Sequence, residues 1–264
     1  MSAADWRPKL VALDIDGTLV DPMSRMPDEV YRAVRRVVDA GVPVVLSTGR
    51  SWLATKIIAD ALDLPQGLHV CSNGAVVVEN PPLRLLREVT FDPSDVIDRV
   101  VEHTDALIAV EEIDVGFRVS ADFPDGELFG RTTTETIEQL KSRPVSRVIV
   151  RDPSSEDAEF MSLAERMGLH GVAYYVGWSN WLDIAPEGVD KASGLDVVCE
   201  RLGVVPEDVL AMGDGYNDVE MLQWAGRGVA IGDAMPDVQA VADAVTGTFA
   251  EGGTVTELSR WFPA

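Results

Sequence analysis

The chain has 264 residues, 46% of them hydrophobic, and carries 44 acidic against 22 basic side chains for a formal net charge of −22. That length allows one large domain or two modest ones, and that charge argues against nucleic acid as a partner, since backbone phosphates demand a basic surface. No apolar run reaches the roughly 18 residues of a membrane span, and the opening residues lack a basic segment followed by an apolar one, so the expectation is a cytoplasmic protein with no membrane partner.

The predicted elements begin with a buried strand over 9–14, ending at Asp14-Ile15-Asp16-Gly17-Thr18. Val30, Val34, Val37 and Val38 recur at helical spacing and predict a helix over 27–40, which Gly41 stops. A strand over 42–47, a helix over 51–62 and a strand over 68–72 follow. Continuous apolar strands joined by helices imply a parallel sheet covered on both faces. A hairpin strand at 75–78 and then Pro81-Pro82 break this rhythm. From 83 to 184 the predicted strands are short (83–89, 107–110, 116–119, 145–150, 172–176 and 181–184), with helices over 94–103, 134–140 and 157–167. This is the pattern of an inserted α+β domain with a mostly antiparallel sheet. The strand–helix alternation returns with a helix over 191–202, a strand over 209–212, a helix over 218–224, a strand over 228–231 and a helix over 236–241.

Four segments at strand ends or helix starts carry chemistry. Asp14 and Asp16 point the same way on an extended chain, and Gly17 lets the backbone turn. Like charges so close need a cation or a proton between them. A Mg²⁺ site with one carboxylate free to attack an electrophile meets that need; a solvated turn is the alternative. An EF-hand loop is excluded, because Met23 stands where its Glu would be. Ser47-Thr48-Gly49-Arg50 reads as an anion cradle or as an ordinary helix cap. Lys191, one of only four lysines, opens a helix where it could neutralise a phosphate and an aspartate, or simply lie on the surface. Gly213-Asp214-Gly215-Tyr216-Asn217-Asp218 offers a metal ligand or a capped turn. Cys71 and Cys199 read as small core residues, and His69, His103 and His170 have no metal-ligand spacing.

Taken in order, Asp14/Asp16, Thr48, Lys191 and Asp214/Asp218 resemble the haloacid dehalogenase superfamily of phosphotransferases, and within it the Cof-type subgroup (subfamily IIB, with a C2-type cap). Ser72-Asn73-Gly74-Ala75 and the run from Val219 to Leu222 add to the resemblance, which covers essentially the whole chain; Ala192 departs from it, since the family often has Gly there. The fold implied is α/β: a Rossmann-like parallel-sheet core (1–82 and 185–264) with an inserted α+β cap (83–184) that selects substrate. The resemblance implies Asp14 as nucleophile and Asp16 as general acid and base. It implies Mg²⁺ held by Asp14, the main-chain carbonyl of Asp16, and Asp214. Phosphate would be bound by Ile15 N–H, Thr48, Gly49 N–H, Lys191 and Asn217, with Asp218 supporting Lys191 or metal waters. Tyr174, Tyr175, Trp178, Trp181, Arg118 and Arg147 either line the cap's substrate pocket or pack and pair within its sheet. The expected function is a Mg²⁺-dependent phosphatase acting on a small phosphate ester such as a sugar phosphate or a phosphorylated cofactor, as a monomer or homodimer. The alternatives are a phosphomutase of the phosphomannomutase kind and a binding or regulatory protein with a retired site.

Overall fold

Strand β1 (Leu10–Leu13) is four consecutive buried apolar residues, and their alternation divides the core in two. Val11 and Leu13 pack with Val30, Val34 and Val37 of the helix Asp28–Asp39 and with Leu258 of the helix Gly253–Trp261. Leu10 and Ala12 pack on the other side, with Leu195, Val198 and Cys199 of the helix Lys191–Leu202. The computed structural model describes residues 6–153, 172–177 and 180–264. Among them β1 lies in a five-stranded parallel sheet. Its order is β14 (Ala244–Val245), β13 (Arg227–Ala230), β12 (Val209–Gly213), β1 and β2 (Val44–Leu46). The loops leaving β2, β1 and β12 therefore emerge side by side at one edge of the sheet, where open α/β folds build their sites.

Two further sheets accompany this core. Strands β3 (Gly67–Cys71), β4 (Val76–Asn80) and β5 (Arg84–Glu88) form an antiparallel three-stranded sheet. The strand over 68–72 was expected in the parallel sheet; it lies beside β2, with one parallel bridge just past the end of that strand, Ser47 to Val70, but its ladder is with β4. Its hydrophobic run looks the same in either setting, so periodicity could not tell them apart.

The third sheet, six-stranded, is that of the inserted α+β cap. It contains β6 (Leu107–Glu112), β7 (Gly116–Val119), β8 (Arg131–Thr134), β9 (Val148–Arg151), β10 (Val172–Gly177) and β11 (Trp181–Pro186), in the order β10-β11-β9-β6-β7-β8. Every pairing is antiparallel except β7 with β8. Ile108, Val110, Val148, Val150, Leu182 and Ile184 cover one face with Val96, Ile97 and Val100 of the helix Ser94–His103. The opposite face carries Glu111 and Asp183, one residue out of phase along the same strands, with Arg147 just before β9.

Three local departures have clear causes. Strand β8, Arg-Thr-Thr-Thr, is exposed throughout and has no apolar alternation to announce it. The helix expected over 134–140 spans only Ile137–Leu140, because Thr136 caps it through a reciprocal bond with Gln139. The helix Gly253–Trp261 was not predicted; Gly252, with a left-handed φ of 74°, turns the chain into it. The helix expected over 157–167, His170 and Trp178 lie outside the described residues. No helix among the described residues is long and apolar enough to cross a membrane. Both cysteines are free and buried, and burial pushes the Cys71 thiol up to about 12.

Candidate active site

Asp14 follows β1 directly and is held there by its own N–H, which donates to Met212 O at 3.0 Å. Its carboxylate is buried against the end of β12. The next turn is tight: Ile15 O accepts the N–H groups of Thr18, Leu19 and Val20. Gly17 sits at φ +72°, and a Cβ there would lie 2.1 Å from Asp214 Oδ2. Only glycine lets the Asp214 carboxylate approach this closely.

Lys191 is fully buried at the first position of its helix. A cation at a helix N-terminus opposes the helix dipole, and a buried ammonium is costly unless it is paired. Two carboxylates supply the compensation: Lys191 Nζ donates to Asp14 Oδ1 and to Asp218 Oδ1, each at 2.6 Å. Burial alone would favour the neutral amine, but these charges outweigh it and raise the Lys191 pKa. The helix is pinned by Asp190, whose carboxylate accepts the Ser193 N–H at 2.7 Å. Gly74 fixes its approach to the core, since a Cβ there would strike the main chain of Asp190 at 1.9 Å.

Asp218 is fully committed. Oδ1 takes Lys191, while Oδ2 accepts the N–H groups of Asp214 at 3.0 Å and Gly215 at 2.9 Å, which holds the 213–218 turn in shape. Oxygens of Asp14, Asp214 and Asp218 all lie within 4.8 Å of one another. Burial raises the Asp14 acid well above the usual carboxylate range, and the charges of Asp218, Asp214 and Asp16 add to it against the pull of Lys191. Burial, then the Asp218 charge, pushes Asp214 up to about 7. Asp214 forms no ion pair among the described residues. Clustered hard oxygen donors with excess negative charge fit a divalent cation such as Mg²⁺.

The Asp16 carboxylate lies elsewhere. Its side chain is 60% exposed and is gripped by Arg50, from Nε at 2.9 Å and from Nη2 at 2.5 Å. The metal set that the resemblance implies calls only on its main-chain carbonyl. Thr48 Oγ accepts the Arg50 N–H at 3.1 Å, and its own proton has no acceptor among the described residues. The N–H groups of Ile15 and Gly49 likewise donate to nothing among them. Asn217 Nδ2 donates to Asn73 Oδ1 at 2.9 Å, and Asn73 lies 3.0 Å from where a Gly49 Cβ would stand. Thr48, Gly49, Asn73 and Asn217 thus form one cluster at the mouths of β2 and β12.

A family model of haloacid dehalogenase-like hydrolases matches residues 11–258. The chain belongs to that family. It is 27% identical to a 5-amino-6-(5-phospho-D-ribitylamino)uracil phosphatase of Bacillus subtilis, covering 96% of this chain and 95% of that protein. It is 31% identical to a phosphoglycolate phosphatase of Natronomonas pharaonis, over 92% and 93% of the two chains. Its fold superposes on a haloacid dehalogenase-like hydrolase from Bacteroides thetaiotaomicron with a TM-score of 0.80 at 24% identity, over 98% of this chain and all of that one.

Two residues of this haloacid dehalogenase-like hydrolase stand at the site without a role assigned from sequence. Arg50 and Asn73 were visible only as members of the Ser-Thr-Gly-Arg and Ser-Asn-Gly-Ala runs. Their side-chain partners lie 34 and 144 positions away in the chain. Of the cap candidates, Arg118 is engaged by Glu112, Glu135 and the Gln139 carbonyl, and Arg147 by Asp183 and Glu111. Trp181 donates Nε1 to Asp183 at 3.0 Å and packs edge-on against Phe123. Tyr174 and Tyr175 lie on β10, with their main chains opposite Ile184 and Asp183.

Proposed function

We propose that this enzyme is a Mg²⁺-dependent phosphatase that hydrolyses small phosphate monoesters through an aspartyl-phosphate on Asp14. The observation that carries the reading is the pairing of a buried carboxylate at a strand end with a buried lysine at 2.6 Å, with oxygens of Asp214 and Asp218 within 4.8 Å of it. The phosphatases among its relatives support the substrate class.

The chemistry follows from the positions. An Asp14 oxygen attacks phosphorus as the ester P–O bond breaks. Asp16, at the open side of the site, gives its proton to the departing alkoxide and then takes one from the water that cleaves the acyl phosphate, releasing inorganic phosphate and restoring Asp14. Lys191 keeps Asp14 ionised and oriented while offsetting phosphate charge. Ile15 N–H, Gly49 N–H, the Thr48 hydroxyl and the second amide hydrogen of Asn217 supply donors for the phosphate oxygens. Mg²⁺, held by Asp14, Asp214 and the Asp16 carbonyl, would reduce repulsion between the nucleophile and the dianionic ester. Asp218 acts by holding Lys191 and the 213–218 turn. The core is assigned to 1–82 and 185–264. The cap, 83–184, would exclude bulk water and select the leaving group.

The test is phosphate release from a panel of monoesters with Mg²⁺, with EDTA, and with Asp14→Asn. Activity confined to the wild type with Mg²⁺ is expected. Release that survives both chelation and the substitution would overturn the mechanism. Isomerised sugar phosphate in place of free phosphate would point to a mutase.

A further inference from the structure

The Ser72-Asn73-Gly74 turn remains outside the mechanism above, although it touches the site on three sides. Ser72 and Asn73 both adopt left-handed backbone, with φ of 50° and 52°. Side chains with a Cβ disfavour this region by roughly 1–2 kcal/mol per residue, and such residues persist where their surroundings over-determine them. The surroundings here are specific. Ser72 N–H donates to Arg50 O at 2.9 Å, and Asn73 N–H donates to Thr48 O at 3.0 Å, so the turn is bonded to the segment that offers Thr48 and Gly49. The Asn73 side chain then accepts from Asn217, on the loop after β12. Asn73 therefore ties the two halves of the anion pocket together.

What holds Ser72 comes from the cap. Its hydroxyl donates to Glu111 Oε2 at 2.7 Å. Glu111 stands on β6, on the polar face of the six-stranded sheet, and is buried. Arg147 Nη1 lies 3.7 Å from Glu111 Oε2, and Arg147 is itself fixed by Asp183 at 2.6 Å. Glu111 Oε1 has no hydrogen-bond partner among the described residues. A buried carboxylate kept with one oxygen unsatisfied costs stability; its other oxygen faces the Arg147 charge and, unlike a purely apolar cap face, orients Ser72.

We propose that Glu111 is a positioning residue for the phosphate pocket, acting through the Ser72 hydroxyl on Asn73, and through Asn73 on Gly49 and Asn217. Glu111 belongs to the cap sheet and Ser72 to the core edge, so the bond makes phosphate affinity depend on how the cap is seated. The inference rests on the phosphatase reading.

The experiment measures kcat and KM for p-nitrophenyl phosphate, the inhibition constant of inorganic phosphate, and the melting temperature, all with Mg²⁺. Ser72→Ala and Glu111→Leu should each weaken phosphate inhibition and raise KM about tenfold, whereas Glu111→Gln, whose amide oxygen still accepts from Ser72, should stay within about twofold of wild type. The double variant should be no worse than either single one, since both break the same link. A merely structural role would lower the melting temperature and leave the phosphate constant in place. Unchanged phosphate inhibition in Ser72→Ala overturns the proposal, and so does an equal loss in Glu111→Gln and Glu111→Leu, which would make the charge on Arg147 responsible. Should Glu111→Leu fail to fold, Ser72→Ala and Glu111→Gln decide the matter. A wild-type protein that releases no phosphate from any ester overturns the phosphatase reading and this one together; an active wild type with an indifferent Ser72→Ala overturns this one alone.

Discussion

Arg50 grips Asp16 with two nitrogens at once, and with Nη2 it also reaches Ser24 Oγ at 2.9 Å. The pair is half open to water, so it adds little to stability, but a two-point grip fixes where the carboxyl group points. Arg50→Gln should lower kcat/KM for alkyl phosphates about tenfold, the scale of a misplaced general acid. It should hardly change kcat/KM for p-nitrophenyl phosphate, whose leaving group needs no proton, although kcat can fall for both because hydrolysis of the acyl phosphate is common to them. Parallel kcat/KM measurements on both esters check this, and equal losses would deny Asp16 the acid's role.

Asp14→Asn should lower kcat by about 10⁴-fold or more, because it removes the nucleophile. The same change should leave the melting temperature in EDTA unchanged or higher. Burial disfavours the Asp14 charge, and Asp218, Asp214 and Asp16 repel it, while Lys191 keeps Asp218 as its partner. A thermal scan beside the activity assay tests both halves, and a large fall in stability would contradict this account of the cluster.

Lys191→Met should behave in the opposite way. It leaves Asp14 and Asp218 buried without their cation, and breaking such a pair from one side costs about 3–5 kcal/mol. Lys191→Arg should not restore the wild type, since a planar guanidinium cannot replace a compact ammonium between two carboxylates. Urea unfolding at neutral pH measures both variants.

Metal binding should depend on pH through Asp214. In the metal-free protein this acid is raised to about 7, so below that value Mg²⁺ must displace a proton. Asp14, a second expected ligand, is raised as well. Affinity, read from the Mg²⁺-induced rise in melting temperature, should therefore climb as pH increases through about 7. Asp214→Asn should make the profile shallower and weaken Mg²⁺ at least about tenfold.

His69 sets an acid limit on stability. It is buried, accepts the Leu46 N–H on Nδ1 at 3.3 Å and stacks on Trp52. Burial lowers its pKa from 6.5 to about 4. A histidine depressed in the folded state contributes stability that is fully present above its unfolded value and is lost as pH falls from about 6.5 towards 4. The loss should reach roughly 3 kcal/mol at the lower end. Urea midpoints at pH 7.0 and 4.5, in wild type and in His69→Gln, measure its share.

The parallel core and the order of the chemical groups along it could be read from the order of residues alone. Each of Asp14, Thr48 and Asp214 sits one or two residues beyond a short apolar strand, and a strand buried on both faces announces itself in its residues. Lys191 was also legible, as one of only four lysines, at a helix start and in its place in the motif order. The pairings emerged with the folded chain: that Asp16 answers to Arg50 and not to the carboxylate cluster, that Asp218 spends both oxygens on holding Lys191 and the neighbouring turn, and that Glu111 of the cap reaches Ser72 of the core. Local patterning reports which face a residue shows to water, a property of its own neighbours in the chain. Which partner meets it there is set by the packing of distant segments, and no short stretch of sequence contains that information.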